Sequence, residues 1–111
     1  MRLETRKYLQ DIRAAADLIA AFTTGKTFSD YSADAMLRSA VERQFEIVGE
    51  ALRKLAELDA ALVEGIPEHR RIIAFRNVLI HGYASVDSRL VWGVAEGKLP
   101  DLRARVTELL S

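Results

Sequence analysis

Only two prolines and six glycines interrupt this sequence, and between them apolar residues recur at helical spacing. No strand pattern of useful length appears, and there is no internal repeat or low-complexity segment. The chain is therefore confined to an all-α fold. With 111 residues it fits a single helical domain spanning residues 1–111.

A first helix is expected from about Glu4 to Thr23, with Tyr8, Ile12, Ala15, Ala16, Ile19 and Phe22 on one stripe and Gly25 as its stop. The segment "GKTFSDYSAD" reads as a polar loop, in which Ser32 caps a long second helix beginning near Ala33. That helix buries Leu37, Val41, Phe45, Val48, Leu52 and Leu55. Glu42, Glu46, Glu50, Arg53 and Glu57 make its opposite face. A weaker helical stretch covers Leu58 to Glu64 before Gly65 and Pro67 break the chain. Another helix starts near Pro67, a short one follows the cap Asp87 and ends at Gly97, and Pro100 opens the last. The expected architecture is a bundle of about five helices with up-and-down character.

Charge and composition remove several function classes. Lys plus Arg and Asp plus Glu both number 16, so net charge gives no support for nucleic-acid binding, and any such role needs a local patch. With no cysteine, thiolate metal sites, disulfides and cysteine nucleophiles are excluded. The two histidines, His69 and His81, are too few and wrongly spaced for a dedicated metal site. No apolar run approaches the roughly 20 residues of a membrane span. No secretory signal is evident either, so a cytoplasmic location is expected. There is no glycine-rich phosphate loop, and no cofactor is expected.

The stretch "RNVLIHGY", Arg76 to Tyr83, stands out. On a helical wheel of about 100° per residue, Arg76 falls inside the apolar stripe of Ile72, Phe75, Leu79 and Ile80, and so does Tyr83 if the helix runs that far; otherwise Tyr83 lies in the loop just past it. Asn77 and His81 fall together on the flank, one turn apart. An arginine on an apolar stripe has two explanations. It snorkels or pairs with a carboxylate, or its face opens on a cleft that receives an anion. Arg76 and His81 lie about 140° apart on an ideal helix and share no face, so spacing alone establishes no site. Between His69 and Arg89, Asp87 is the only acid among Arg70, Arg71, Arg76, His81 and Arg89. This is either a phosphate-binding patch or a solvated face whose acids come from other helices.

These residues also carry a family resemblance. "RNVLIHGY" fits the motif of Arg, four residues, His, one residue, Tyr found in the HepT-like toxins of the HEPN superfamily. "SADAMLRSAVERQFEIVGEALRKL" resembles that family's second helix, and "IIAFRNVLIHGYASVDSRLVW" its motif helix, loop and next helix. "LPDLRARVTELL" is similar to its C-terminus. One segment departs: many relatives carry tryptophan after the Ile-Pro pair, whereas here Glu68 follows Pro67 and the sole tryptophan is Trp92.

The resemblance implies a homodimeric HEPN bundle with motif residues of both subunits lining a cleft. It further implies a type II toxin with metal-independent endoribonuclease activity. Its partner would be an MntA-type nucleotidyltransferase antitoxin that transfers AMP from ATP onto Tyr83. The residues suit such chemistry. RNA carries its own nucleophile in the ribose 2′-hydroxyl, so the protein need supply only a group titrating near neutrality and a fixed cation. His81 is the candidate for the first, as histidine titrates near pH ~6.5, and Arg76 for the second. Asn77 is placed to orient His81 or to bind a phosphate oxygen. Arg70, Arg71 and Arg89 are candidate RNA contacts. The alternative from a different class is a non-catalytic helical subunit that binds a nucleotidyltransferase and positions its substrate. A third reading is a purely structural bundle.

Overall fold

Side-chain caps start four of the seven α-helices in the computed structural model, which describes residues 1–111. The helices are α1 (Leu3–Thr23), α2 (Phe28–Ala33), α3 (Ala35–Leu58), α4 (Ala60–Glu64), α5 (His69–His81), α6 (Ser88–Gly97) and α7 (Leu99–Leu110), and a 3₁₀ turn at Tyr83–Ser85 joins α5 to α6. Asp34, Asp59 and Asp87 accept from the backbone N–H of Leu37, Leu62 and Arg89 respectively. Each satisfies a donor that the first helical turn leaves unpaired.

The all-helical expectation holds, with two corrections at the joints. "GKTFSDYSAD" is not simply a loop. Thr27 and Asp30 form a reciprocal capping box that starts α2, with Asp30 N–H donating to Thr27 Oγ1 at 3.1 Å and Thr27 N–H to Asp30 Oδ2 at 2.9 Å. Asp34, not Ser32, caps α3. A six-residue helix is too short to show a period, so its caps were its only local signal. What holds it down is Tyr31, fully buried with its ring 5.4 Å from that of Trp92. The motif helix begins at His69, past Pro67 rather than at it. Ile66 is buried and anchors this corner in the core, and Glu68 completes the turn with a left-handed backbone, φ 64°.

At the centre of the bundle, α3 lies between α1 and α5, with α7 packed on the outer side of α1. The short α6 bridges α2 and α7. Side chains from all these elements join one continuous core. Ile12, Ala15, Ala16 and Ile19 are buried as their spacing requires, together with Leu9, while Tyr8 and Phe22 are half-buried at the edge. On α3 the stripe from Val41 to Leu55 is buried, and Leu37 is half-exposed. Phe45 meets Phe75 of α5 edge to face, with centroids 5.3 Å apart and planes at 76°. Such a pair contributes about 0.5–1.5 kcal/mol beyond its area burial.

Where α3 crosses α5 the backbones come unusually close. A Cβ built on Gly49 would lie 2.5 Å from the Cβ of Arg76 and 3.1 Å from the carbonyl oxygen of Ile72. Only glycine fits there without displacing α5. Glu42, Glu46 and Glu50 are consequently half-buried flank residues, and only Arg53 and Glu57 of the expected opposite face are fully exposed.

Candidate active site

The polar residues of "RNVLIHGY" occupy the C-terminal half of α5 and the turn after it. Ile72, Phe75 and Leu79 turn inward against α3, which leaves Arg76 at the seam between the two helices with its side chain 25% exposed. Its Nη2 forms an ion pair with Glu50 Oε2 of α3 at 2.9 Å, and its Nη1 donates to Asn77 Oδ1 at 3.2 Å. Of the two explanations for an arginine on an apolar stripe, pairing with a carboxylate is realised. The guanidinium also borders a groove of about 270 Å³ between α1, α3 and α5, lined among others by Tyr8, Ile47, Lys54 and Ile80. That groove also carries the carboxylates of Asp11, Glu46 and Glu50 beside Arg43 and Lys54, so its lining does not by itself select an anion.

Glu50 is the site residue that sequence reasoning placed on a solvent face. Hydrogen bonds from Arg53, and then the charges of Arg76 and Arg53, hold its carboxyl below the usual glutamate range. Arg53 is raised in turn, first by its hydrogen bond to Glu50. The available signal was the juxtaposition of Gly49 with Glu50, a small residue beside an acid, which marks a close helix crossing with a charge at its rim.

His81 is the last residue of α5 and is exposed, one turn beyond the exposed Asn77. Gly82 then ends the helix, its N–H donating to the carbonyl of Val78 at 2.8 Å. A Cβ at Gly82 would lie 2.8 Å from that same carbonyl oxygen, so the tight exit requires glycine. Because the helix stops here, Tyr83 leaves the apolar stripe on which a continued wheel put it. It sits in the 3₁₀ turn, 81% exposed, and is no part of the core edge.

The fold unites Arg76, Asn77 and His81 on one stretch of α5 and sets Tyr83 immediately beyond. It does not bring Arg70 and Arg71 to them. Those arginines lie toward the other end of α5, about 8 Å from Arg76 and about 16 Å from His81 along the axis at about 1.5 Å rise per residue. Arg70 pairs with Glu64 at 2.9 Å and Arg71 with Glu68 at 3.5 Å. Arg89 lies over the ring of Phe28 at 4.1 Å. The apparent patch is thus largely matched by acids from neighbouring segments. His69 faces inward, its Nδ1 2.8 Å from the carbonyl of Ile66. No group of three or more His, Asp or Glu side chains is arranged to hold a metal ion. No helix is long and apolar enough to cross a membrane.

Comparison with known proteins converges on one family. Residues 12–109 match the family described as "Ribonuclease HepT-like". The chain is 34% identical over 109 residues to the "Probable ribonuclease HepT" of Thermococcus cleftensis, covering 98% of both chains. It is 30% identical to "Putative RNase TTE0752" of Caldanaerobacter subterraneus subsp. tengcongensis, covering 95% of this chain and 93% of that one. A third relative, the "Gamma-glutamylcyclotransferase and putative RNase MJ0434" of Methanocaldococcus jannaschii, is 31% identical, and the chain spans 49% of its length. No solved structure matches. With its seven helices and no strand, the fold is of the HEPN type. The chain belongs to the HepT-like ribonuclease family of the HEPN superfamily.

Proposed function

We propose that this protein is a metal-independent endoribonuclease acting as the toxin of a type II toxin–antitoxin pair in the cytoplasm. The observation that carries the reading is a seam-held arginine, Arg76, bonded to Asn77, with the exposed His81 one turn further along the same helix. In the reaction, a base takes the proton from a ribose 2′-hydroxyl and the oxygen attacks the adjacent phosphorus. The bond to the 5′-oxygen breaks and that oxygen takes up a proton. The products are a 2′,3′-cyclic phosphate and a 5′-hydroxyl end. His81 serves as base or acid. Arg76 stabilises the charge that builds on the phosphorane, since a planar guanidinium donates two hydrogen bonds at once.

A homodimer would supply both proton-transfer groups from two copies of His81. The surface we assign to the second copy lies round the motif helix from Arg76, with Val78 about 60° from His81 on the helical wheel. There an apolar groove of about 400 Å³ runs between α5 and α6, lined by Phe75, Val78, Leu90 and Val94. Val78 is 49% and Leu90 48% exposed, and both line this one groove. A two-fold contact here would place the two motif helices side by side.

The antitoxin in this reading is an MntA-type nucleotidyltransferase. Tyr83 attacks the α-phosphorus of ATP, pyrophosphate leaves, the phenolic proton is released, and AMP remains on the tyrosine oxygen. The 81% exposure of Tyr83 supports this, because its hydroxyl is open to a partner enzyme. The added phosphodiester would compete with RNA phosphate for Arg76.

One observation favours a second reading, a non-catalytic subunit that docks to a nucleotidyltransferase. Arg70, Arg71 and Arg76 each already have an acidic partner, which reduces the cationic surface open to RNA. Induced expression of wild type and His81→Ala separates the two. The ribonuclease reading expects growth arrest and RNA cleavage from the wild type alone. Equal harmlessness with uncut RNA supports the subunit reading.

A further inference from the structure

Arg76 belongs to a chain of polar contacts that begins on another helix. Glu57 accepts from Arg53 Nη1 at 2.7 Å, and Arg53 grips Glu50 twice, Nη2 to Oε1 at 2.8 Å and Nε to Oε2 at 3.3 Å. Glu50 in turn forms an ion pair with Arg76, Oε2 to Nη2 at 2.9 Å, and Arg76 Nη1 donates to Asn77 Oδ1 at 3.2 Å. The relay therefore runs from the outer face of α3, across the Gly49 crossing, to the flank of α5 that carries His81.

Packing does not require this relay. Ile72, Phe75 and Leu79 are buried on this side of α5, and Gly49 sets the crossing distance without any charge. Pairs this exposed contribute little to stability. Orientation is another matter. Arginine is long and loses its aim unless something fixes the guanidinium plane. It carries five N–H donors, of which one is taken by Asn77, while Glu50 holds the guanidinium as an ion pair at 2.9 Å, leaving donors free for an anion. The carboxylate is itself clamped by Arg53, so it holds Arg76 from a fixed point. Around α5 the residues succeed one another at about 100°, which puts Asn77 between Arg76 and His81. On that wheel a phosphate lying over Asn77 would sit between the positions of Arg76 and His81.

We infer that Glu50 is a positioning residue of the active site. From α3 it fixes the Arg76 guanidinium so that its free donors face the scissile phosphate, with Arg53 locking the carboxylate in place. Glu50 touches neither RNA nor the reacting atoms. The inference rests on the ribonuclease reading above for its kinetic consequences, and on the Arg76 side chain alone for its structural one.

The test compares purified wild type, Glu50→Gln, Glu50→Asp, Arg53→Gln and His81→Ala. Each is assayed on a short fluorescent single-stranded RNA, melted, and observed by ¹⁵N–¹H spectra of the arginine side chains. Glu50→Gln is expected to remain folded while kcat falls roughly 10- to 100-fold, the scale of a small misplacement of a catalytic group. KM stays within about threefold, because the lost contact is not one made to substrate. Glu50→Asp recovers part of the rate. The Arg76 Nη–H signals, expected to be resolved in the wild type where Glu50 and Asn77 restrain the guanidinium, coalesce in Glu50→Gln. A wild-type kcat, an unaltered Arg76 signal, or a rise confined to KM overturns the inference. Should Glu50→Gln unfold, Arg53→Gln decides by the same split: it leaves the Glu50–Arg76 bond but frees the carboxylate, and an unchanged kcat overturns the proposal. Uncut RNA with wild type sinks the ribonuclease reading instead, and the Arg76 signal then decides by itself whether Glu50 positions that side chain.

Discussion

Gly49 and Arg76 touch where α3 crosses α5, so closely that a Cβ on Gly49 would lie 2.5 Å from the Cβ of Arg76. The contact is between a backbone and the root of a side chain, neither of which can swing aside. It ties the spacing of two core helices to the position of the motif arginine. Gly49→Ala is expected to lower stability, because overpacking costs about 1–3 kcal/mol, more than the about 1 kcal/mol of helix propensity that alanine restores. RNA cleavage should fall further than the thermal melt accounts for, since Arg76 is displaced along with α5. A melt and a cleavage assay on the same preparation check both parts.

His81 is exposed at the end of α5 and packs into nothing that holds the bundle together. His81→Ala should therefore leave stability within about 0.5 kcal/mol while cleavage drops at least ~100-fold, as expected for removal of a general acid or base. Denaturant midpoints and initial cleavage rates measure the two effects. A variant that cuts RNA at the wild-type rate would remove His81 from the mechanism.

Tyr83 offers the converse separation. Its hydroxyl stands in solvent on a 3₁₀ turn, so Tyr83→Phe changes neither fold nor melt. Incubated with the partner nucleotidyltransferase and ATP, the wild type should gain mass in multiples of AMP and lose ribonuclease activity. Tyr83→Phe should gain nothing and stay active. Intact-mass spectrometry reads this directly, and a gain that survives the substitution would move the modification elsewhere.

Val78 and Leu90 face each other across the groove between α5 and α6, each about half exposed. If a second copy covers them, Val78→Asp or Leu90→Asp places an unpaired carboxylate in that contact. Light scattering should then shift from dimer to monomer, with the helical circular dichroism spectrum retained. Wild type that sediments as a monomer at micromolar concentration would count against the assigned surface.

The capping box of α2 predicts a pH dependence. Backbone and side-chain hydrogen bonds with Thr27 hold the Asp30 carboxyl below its ordinary value of 3.8. A depressed carboxylate contributes stability above its unfolded value and loses it as pH falls through the lower folded one. The wild-type melting temperature should thus fall on acidification below that ordinary value, and Asp30→Asn should show a shallower fall over the same range. Parallel curves for the two proteins would mean that this cap does not contribute to global stability.

How much of this was legible beforehand follows the range of each interaction. The ends of α1, the cap at Asp87, the break at Gly65 and the motif helix through His81 rest on periodicity and on contacts within a few residues, and the sequence displays both. The short α2 was read as loop because six residues show no period, although Thr27 and Asp30 stood at capping-box spacing. The sequence leaves Tyr83 either on the core stripe or in the loop past the helix, and the structure decides for the latter, because Gly82 bonds back to Val78 and turns the chain outward.

By itself, then, the sequence determined an all-helical chain and most of its helix boundaries, and it singled out the motif stretch Arg76–Tyr83, because caps and hydrophobic periods act locally along the chain. Only the tertiary structure decided that Glu50 meets Arg76, that acids already occupy Arg70 and Arg71, and that Tyr31 lies in the core while Tyr83 stands in solvent. The physical reason is distance along the chain. Glu50 and Arg76 share no helical turn, and their meeting depends on a missing side chain at Gly49 that lets two helices approach.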